Sequence, residues 1–162
     1  MSKFTEAQLE QAIIELLGEE DYPHVLGETI QRVPDDVLIK DDLRAFLLEQ
    51  HANDGITQAE IEQIIRKLEV LPASDLYGSN KAFMKLVSDG FQLKREDRNQ
   101  KDLFIHLIDY SPADRNHYKM VNQLEISGYE KRIPDGILYI NGLPLVVFEF
   151  KSAIREEATI HD

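Results

Sequence analysis

The sequence predicts an α/β (α+β) protein in which a helical N-terminal half precedes a mixed central β-sheet flanked by helices. Three observations carry this. Up to Gly90, apolar residues recur at helical spacing between capping signals. Beyond Gly90 they fall into short runs rich in β-branched and aromatic residues, which suit a pleated surface. One of those runs, Leu145-Val146-Val147-Phe148, is apolar without a break and predicts a central strand covered on both faces.

The elements follow in order. Thr5 with Gln8 forms the pattern of a capping box, and Leu9, Ala12, Ile13, Leu16 and Leu17 line one face, so a first helix should run over 6–19. A second, over 41–50, carries Leu43, Phe46 and Leu47, with Asp41 and Asp42 at the positive end of its dipole. Thr57 with Glu60 opens a third, whose stripe Ile61, Ile64, Ile65 and Leu68 stops before Pro72. A shorter fourth spans 80–88 and ends at Asp89-Gly90. Strands are expected over 103–110, 119–126, 135–140 and 145–151, punctuated by Ser111-Pro112, Gly128 and Asn141-Gly142. Ser152 to Asp162 reads as the start of another helix.

At 162 residues and 43% hydrophobic content, one domain over 1–162 is expected. No apolar stretch approaches the roughly 20 residues of a spanning helix, and the N-terminus lacks the pattern of a leader, which predicts a cytoplasmic protein without a membrane partner. Cysteine is absent, and His24, His51, His106, His117 and His161 show no ligand spacing, so zinc is not expected. The net charge of -12 opposes binding to a polyanion. Its distribution is uneven: residues 1–80 hold 6 Lys and Arg against 17 Asp and Glu, a net of -11, whereas residues 81–162 are nearly balanced, 12 against 13. Lys119, Lys131, Arg132, Lys151 and Arg155 are the cations placed to meet phosphates.

The chemistry concentrates between Arg132 and Lys151. A carboxylate, Asp135, opens one strand; after a turn, Glu149 and Lys151 stand two residues apart on the next. Alternation along a strand puts Glu149 and Lys151 on one face and Phe148 and Phe150 on the other. Register then decides whether the two acids meet. In a strict two-residue Asn141-Gly142 hairpin, Asp135 faces Phe148, and the carboxylates point to opposite sides. A three-residue loop over 141–143, or a β-bulge, brings Asp135 opposite Glu149. With that register, Asp135, Glu149 and the carbonyl of Phe150 offer hard oxygen ligands suited to Mg²⁺ or Mn²⁺, and Lys151 is placed to orient a water or offset developing negative charge.

Pro134-Asp135 followed by Glu149-Phe150-Lys151 resembles the PD-(D/E)xK nuclease signature, and with it the restriction-endonuclease-like fold. More narrowly, the chain resembles the N-terminal nuclease domain of the restriction (R) subunit of type I restriction-modification enzymes. The likeness includes Glu10 ahead of Tyr22 and Gly27, Arg32, 80–90, Asn116, Asn122-Gln123, Arg132-x-Pro134-Asp135, Asn141-Gly142-x-Pro144 and Glu149-x-Lys151. It implies that Asp135 and Glu149 are metal ligands, Lys151 the catalytic lysine and Glu10 an auxiliary acid. It implies cleavage of double-stranded DNA, a fragment of a longer chain with an ATP-driven motor, and modification and specificity subunits whose complex uses S-adenosylmethionine. Gly136 departs from the β-branched residue usual at its position, and a glutamine-to-tyrosine motif expected after the lysine falls beyond Asp162.

Plainer readings stand beside these. Glu149 and Lys151 also suit an i,i+2 charge pair at a strand end, Glu10 a solvated helix acid and Arg32 a salt-bridge partner. A nuclease-fold docking module that holds partner subunits through its acidic helices, and a stand-alone repair or mobile-element nuclease, are the competing functions.

Overall fold

The structure, a computed structural model, describes residues 5–71, 75–127 and 130–151. The possible helix over 152–162, with Arg155 and His161 in it, and the Gly128 breaker lie outside the described residues. The chain divides into two compact units, Met1–Ile39 with Tyr118–Asp162, and Lys40–His117.

The first unit contains helix α1 (Glu6–Glu19), strand β1 (His24–Leu26) and the strands β4 (Tyr118–Asn122), β5 (Gly136–Ile140) and β6 (Leu143–Phe148). Helix α1 starts where its cap requires. The Thr5 hydroxyl accepts the Gln8 N–H at 3.3 Å and the Gln8 side chain accepts the Thr5 N–H at 2.9 Å. The strand order is β1-β4-β5-β6, with β1 parallel to β4 and the other pairs antiparallel, so the sheet is mixed as expected. One face packs Val121, Ile137 and Tyr139 against Ile39 and Leu124. Burying each such side chain contributes about 2 kcal/mol. Tyr139 is fully buried and donates its hydroxyl to the carbonyl of Val37 at 2.6 Å, the partner a buried phenol needs. Gly27 fits where it does because any Cβ there would meet the backbone of Gln123 and Leu124.

The second unit pairs α2 (Lys40–Gln50) with α3 (Gln58–Glu69), burying Leu43, Phe46 and Leu47 of one and Ile61, Ile64, Ile65 and Leu68 of the other. It also holds α4 (Leu76–Asp89) and a two-stranded antiparallel ribbon of β2 (Phe91–Leu93) and β3 (Leu103–Ile105). Inside it, Glu60 (1% exposed) takes hydrogen bonds from Arg95 Nε at 2.9 Å and from the N–H groups of Thr57 and Glu96. Arg95 in turn donates to the carbonyls of Asp54 and Gly55, each at 3.0 Å. Every polar atom of this buried pair that could be stranded is used, which is the condition for burying two charges.

Several expectations are corrected. Helix α4 begins a turn earlier than 80, because Asp75 caps it by accepting the Gly78 N–H at 2.8 Å. The strand expected over 103–110 covers only Leu103–Ile105 and pairs with β2, which the sequence reading missed. Strand β4 stops at Asn122, since Gln123 takes a left-handed φ of 53° that cannot continue a ladder. The apolar run 145–148 belongs to an edge strand among the described residues, with Val146 43% and Val147 57% exposed. An unbroken apolar run fixes neither neighbour of a strand, and here its hairpin with β5 leaves the other side unpaired.

Candidate active site

Two hairpin strands and their turn set the geometry. Asn141 and Gly142 have φ of 53° and 76°, both left-handed, and Ile140 pairs with Leu143 across this two-residue turn. Left regular, that register would separate the acids. It is interrupted: Tyr139 pairs with Pro144 and Leu138 with Val146, so Leu145 is an extra residue on β6 and the ladder carries a bulge. Pro144 has no N–H to give to the ladder, which is where such a defect costs least. Beyond the bulge Ile137 faces Val147 and Gly136 faces Phe148, so the next step of the ladder sets Asp135 against Glu149. Of the two devices that would align the acids, the bulge is the one present.

A hydrogen bond reports the same alignment directly. The Phe150 N–H donates to Asp135 Oδ2 at 2.6 Å, tying the carboxylate at the start of β5 to the backbone that follows β6. The rings of Phe148 and Phe150 stack with centroids 6.1 Å apart and planes 19° from parallel. That leaves Glu149 and Lys151, by alternation, for the other side. Both are exposed, Asp135 is half-buried, and no ion pair joins Glu149 to Lys151, unlike the plain charge-pair reading. Gly136 is accounted for as well: the methyl end of Met120 occupies the space its Cβ would take.

The other site candidates fall as follows. Glu10, half-buried on α1, accepts from Asn122 Nδ2 at 2.7 Å at the end of β4 rather than bonding Asp135. Asn122 Oδ1 lies 2.6 Å from His24 Nε2 on β1. Sequence reasoning missed these links, because nothing in spacing connects residues 98 and 112 positions apart. Arg32 is no salt-bridge partner: its guanidinium donates to the carbonyls of Val33, Pro34, Asp36 and Glu125 and so ties a loop to the segment after β4. Lys131 pairs with Glu125 at 2.7 Å, and Arg132 stays mostly exposed beside Glu130 at 3.9 Å.

The donor set at the hairpin is two carboxylates plus the Phe150 carbonyl, oxygens only, which suits a hard divalent cation. Asp135 Oδ1 is left free of the Phe150 bond, so the anchor orients the carboxylate without consuming it. No cluster of three or more His, Asp or Glu near enough to share an ion occurs among the described residues.

Comparison with known proteins fits this arrangement. The chain is 35% identical, over 67% of its own length, to the type I restriction enzyme HindI endonuclease subunit of Haemophilus influenzae. It is 26% identical over 91% of its length to the SsaAORF53P endonuclease subunit of Staphylococcus saprophyticus. To the SauCOLORF180P endonuclease subunit of Staphylococcus aureus it is 25% identical over 78% of its length. It spans 10%, 15% and 13% of those relatives respectively. The family described as type I restriction enzyme R protein N terminus matches residues 3–161, and the chain belongs to that family.

Proposed function

We propose that this chain is a metal-dependent endonuclease domain of a type I restriction enzyme R subunit, hydrolysing phosphodiester bonds of double-stranded DNA, with residues 1–162 acting as one nuclease domain. The single observation that supports it most is the bulged hairpin, whose register sets Asp135 against Glu149 while the Phe150 N–H anchors the Asp135 carboxylate. A structural hairpin has no need of two acids on adjacent strands at one level, since like charges opposite one another cost stability.

In this reading Asp135, Glu149 and the Phe150 carbonyl hold Mg²⁺ or Mn²⁺. When bound, the ion polarises the scissile phosphate and makes a coordinated water a stronger nucleophile. The protein's own residues do the rest. The Phe150 N–H fixes the direction of the Asp135 carboxylate before substrate arrives, so no reorganisation is needed at the moment of reaction. Lys151 follows Glu149 by two residues on the same side, and its ammonium stabilises the negative charge that gathers on the phosphate oxygens. Exposed Arg132 meets a neighbouring phosphate. Acting in the cytoplasm, the domain receives DNA from an ATP-driven motor and from modification and specificity subunits, the latter complex using S-adenosylmethionine. Their help offsets the repulsion between DNA and a chain of net charge -12.

Calorimetry with Mn²⁺ tests the reading. Binding by the intact chain that disappears in Asp135→Asn supports it. No binding to the intact chain overturns it, and favours a docking module built on the acidic residues 1–80.

A further inference from the structure

We propose that His24 and Asn122 are positioning residues for this reaction: with Glu10 they form a hydrogen-bonded relay that holds the Glu10 carboxylate at the end of the sheet from which Asp135 and Glu149 emerge. The proposal rests on the nuclease reading above.

The relay joins three elements. Asn122, only 7% exposed at the end of β4, donates Nδ2 to Glu10 Oε1 of α1 at 2.7 Å, and its Oδ1 lies 2.6 Å from His24 Nε2 of β1. The direction of each bond is set by chemistry. A carboxylate can only accept, so the amide nitrogen must face Glu10; the amide oxygen can only accept, so His24 must present Nε2–H. With both ends committed, the buried amide cannot flip without stranding a donor against a donor, which costs about 1–3 kcal/mol. The Glu10 carboxylate is therefore locked in direction, and only its Oε1 is taken among the described residues, leaving Oε2 available.

Its place on the sheet gives the relay its purpose. The β4–β5 ladder pairs Val121 with Ile137, so the next step sets Asn122 beside Gly136, the residue between Asp135 and the rest of β5. Gly136 contributes no side chain that could compete for the amide. Gln123 then turns away in its left-handed conformation, ending the strand at that level. Helix α1 thus delivers a third carboxylate to the end of the sheet that carries Asp135, through an amide whose orientation a histidine controls. Partners that orient a metal site's acids in this way are typically worth tenfold to a hundredfold in metal affinity.

Mn²⁺ calorimetry on single and double variants tests the relay. Glu10→Gln and Asn122→Ala should each weaken Mn²⁺ binding by about tenfold, and the double variant should be no weaker than either alone, because both break one chain. His24→Ala, on an exposed residue whose loss leaves the core intact, should weaken binding as well, while His24→Gln, which keeps an N–H donor, should restore it. Unchanged Mn²⁺ affinity in Glu10→Gln and His24→Ala, with binding still abolished by Asp135→Asn, overturns the relay and leaves the nuclease reading standing. Unchanged affinity in Asp135→Asn removes both.

Discussion

Two glycines show how single residues hold the site in place. At Gly27 an added methyl meets backbone atoms of Gln123 and Leu124, which cannot yield, whereas at Gly136 it meets the flexible end of the Met120 side chain. Gly27→Ala should therefore cost about 3 kcal/mol in urea unfolding, and Gly136→Ala about 1 kcal/mol, relieved further when combined with Met120→Ala. Equal costs would mean that the close approach of β1 to the segment after β4 does not matter. At this scale the sequence was only partly readable. Alternation along a strand was enough to group Glu149 with Lys151 and Phe148 with Phe150. The role of Arg32 as a carbonyl clamp and the partners of Glu10 were not, because each depends on atoms from segments distant in the chain. The use of Gly136 was hidden for the same reason, its space being filled by a methionine from the neighbouring strand.

Among elements, the β5–β6 hairpin is the one on which the chemistry depends. Because Leu145 is the extra residue, its deletion restores a regular ladder and leaves Asp135 against Glu149. Inserting an alanine between Val146 and Val147 pushes Glu149 one step along and out of register. Calorimetry should find Mn²⁺ affinity retained in the deletion and lowered by about tenfold or more in the insertion; equal loss in both would contradict the register account. The α3 helix offers a test of a different kind. Burial by itself would raise the Glu60 carboxyl, but hydrogen bonds from Thr57, Arg95 and Glu96 outweigh it and hold the group below the ordinary glutamate value. A folded value below the unfolded one means that the contribution is fully present above about pH 4.3 and is lost as pH falls through the folded value. Arg95→Ala should thus cost about 3–5 kcal/mol at neutral pH, with the gap from the parent narrowing in acid. A gap independent of pH in urea unfolding would show that the pair is not the cause. The helices were legible because caps and stripes are local: Thr5 with Gln8 and Thr57 with Glu60 both form the boxes their spacing predicts. Strands β1 and β2 were not, since three residues are too few to show a period. The bulge could be named in advance only as one of two devices, because sequence does not say where a hairpin absorbs an extra residue.

For the whole molecule, the mixed sheet and the helical front half follow from the change of apolar period near Gly90, and membership of the restriction enzyme family agrees with the motif between Arg132 and Lys151. No helix among the described residues is long and apolar enough to cross a membrane. The charge is concentrated where the sequence places it, in residues 1–80, away from the Arg132–Lys151 stretch. Within a complete restriction complex, Lys151→Ala should abolish DNA cleavage while ATP hydrolysis continues, as gel and phosphate-release assays on one preparation would show; unchanged cleavage would remove the lysine from the mechanism. The central claim is that Asp135 and Glu149 share one divalent cation, and anomalous diffraction from crystals soaked in Mn²⁺ tests it most directly. The account predicts a peak about 2.1 Å from an oxygen of each carboxylate. A peak elsewhere, or none, with the two carboxylates turned apart, would contradict it.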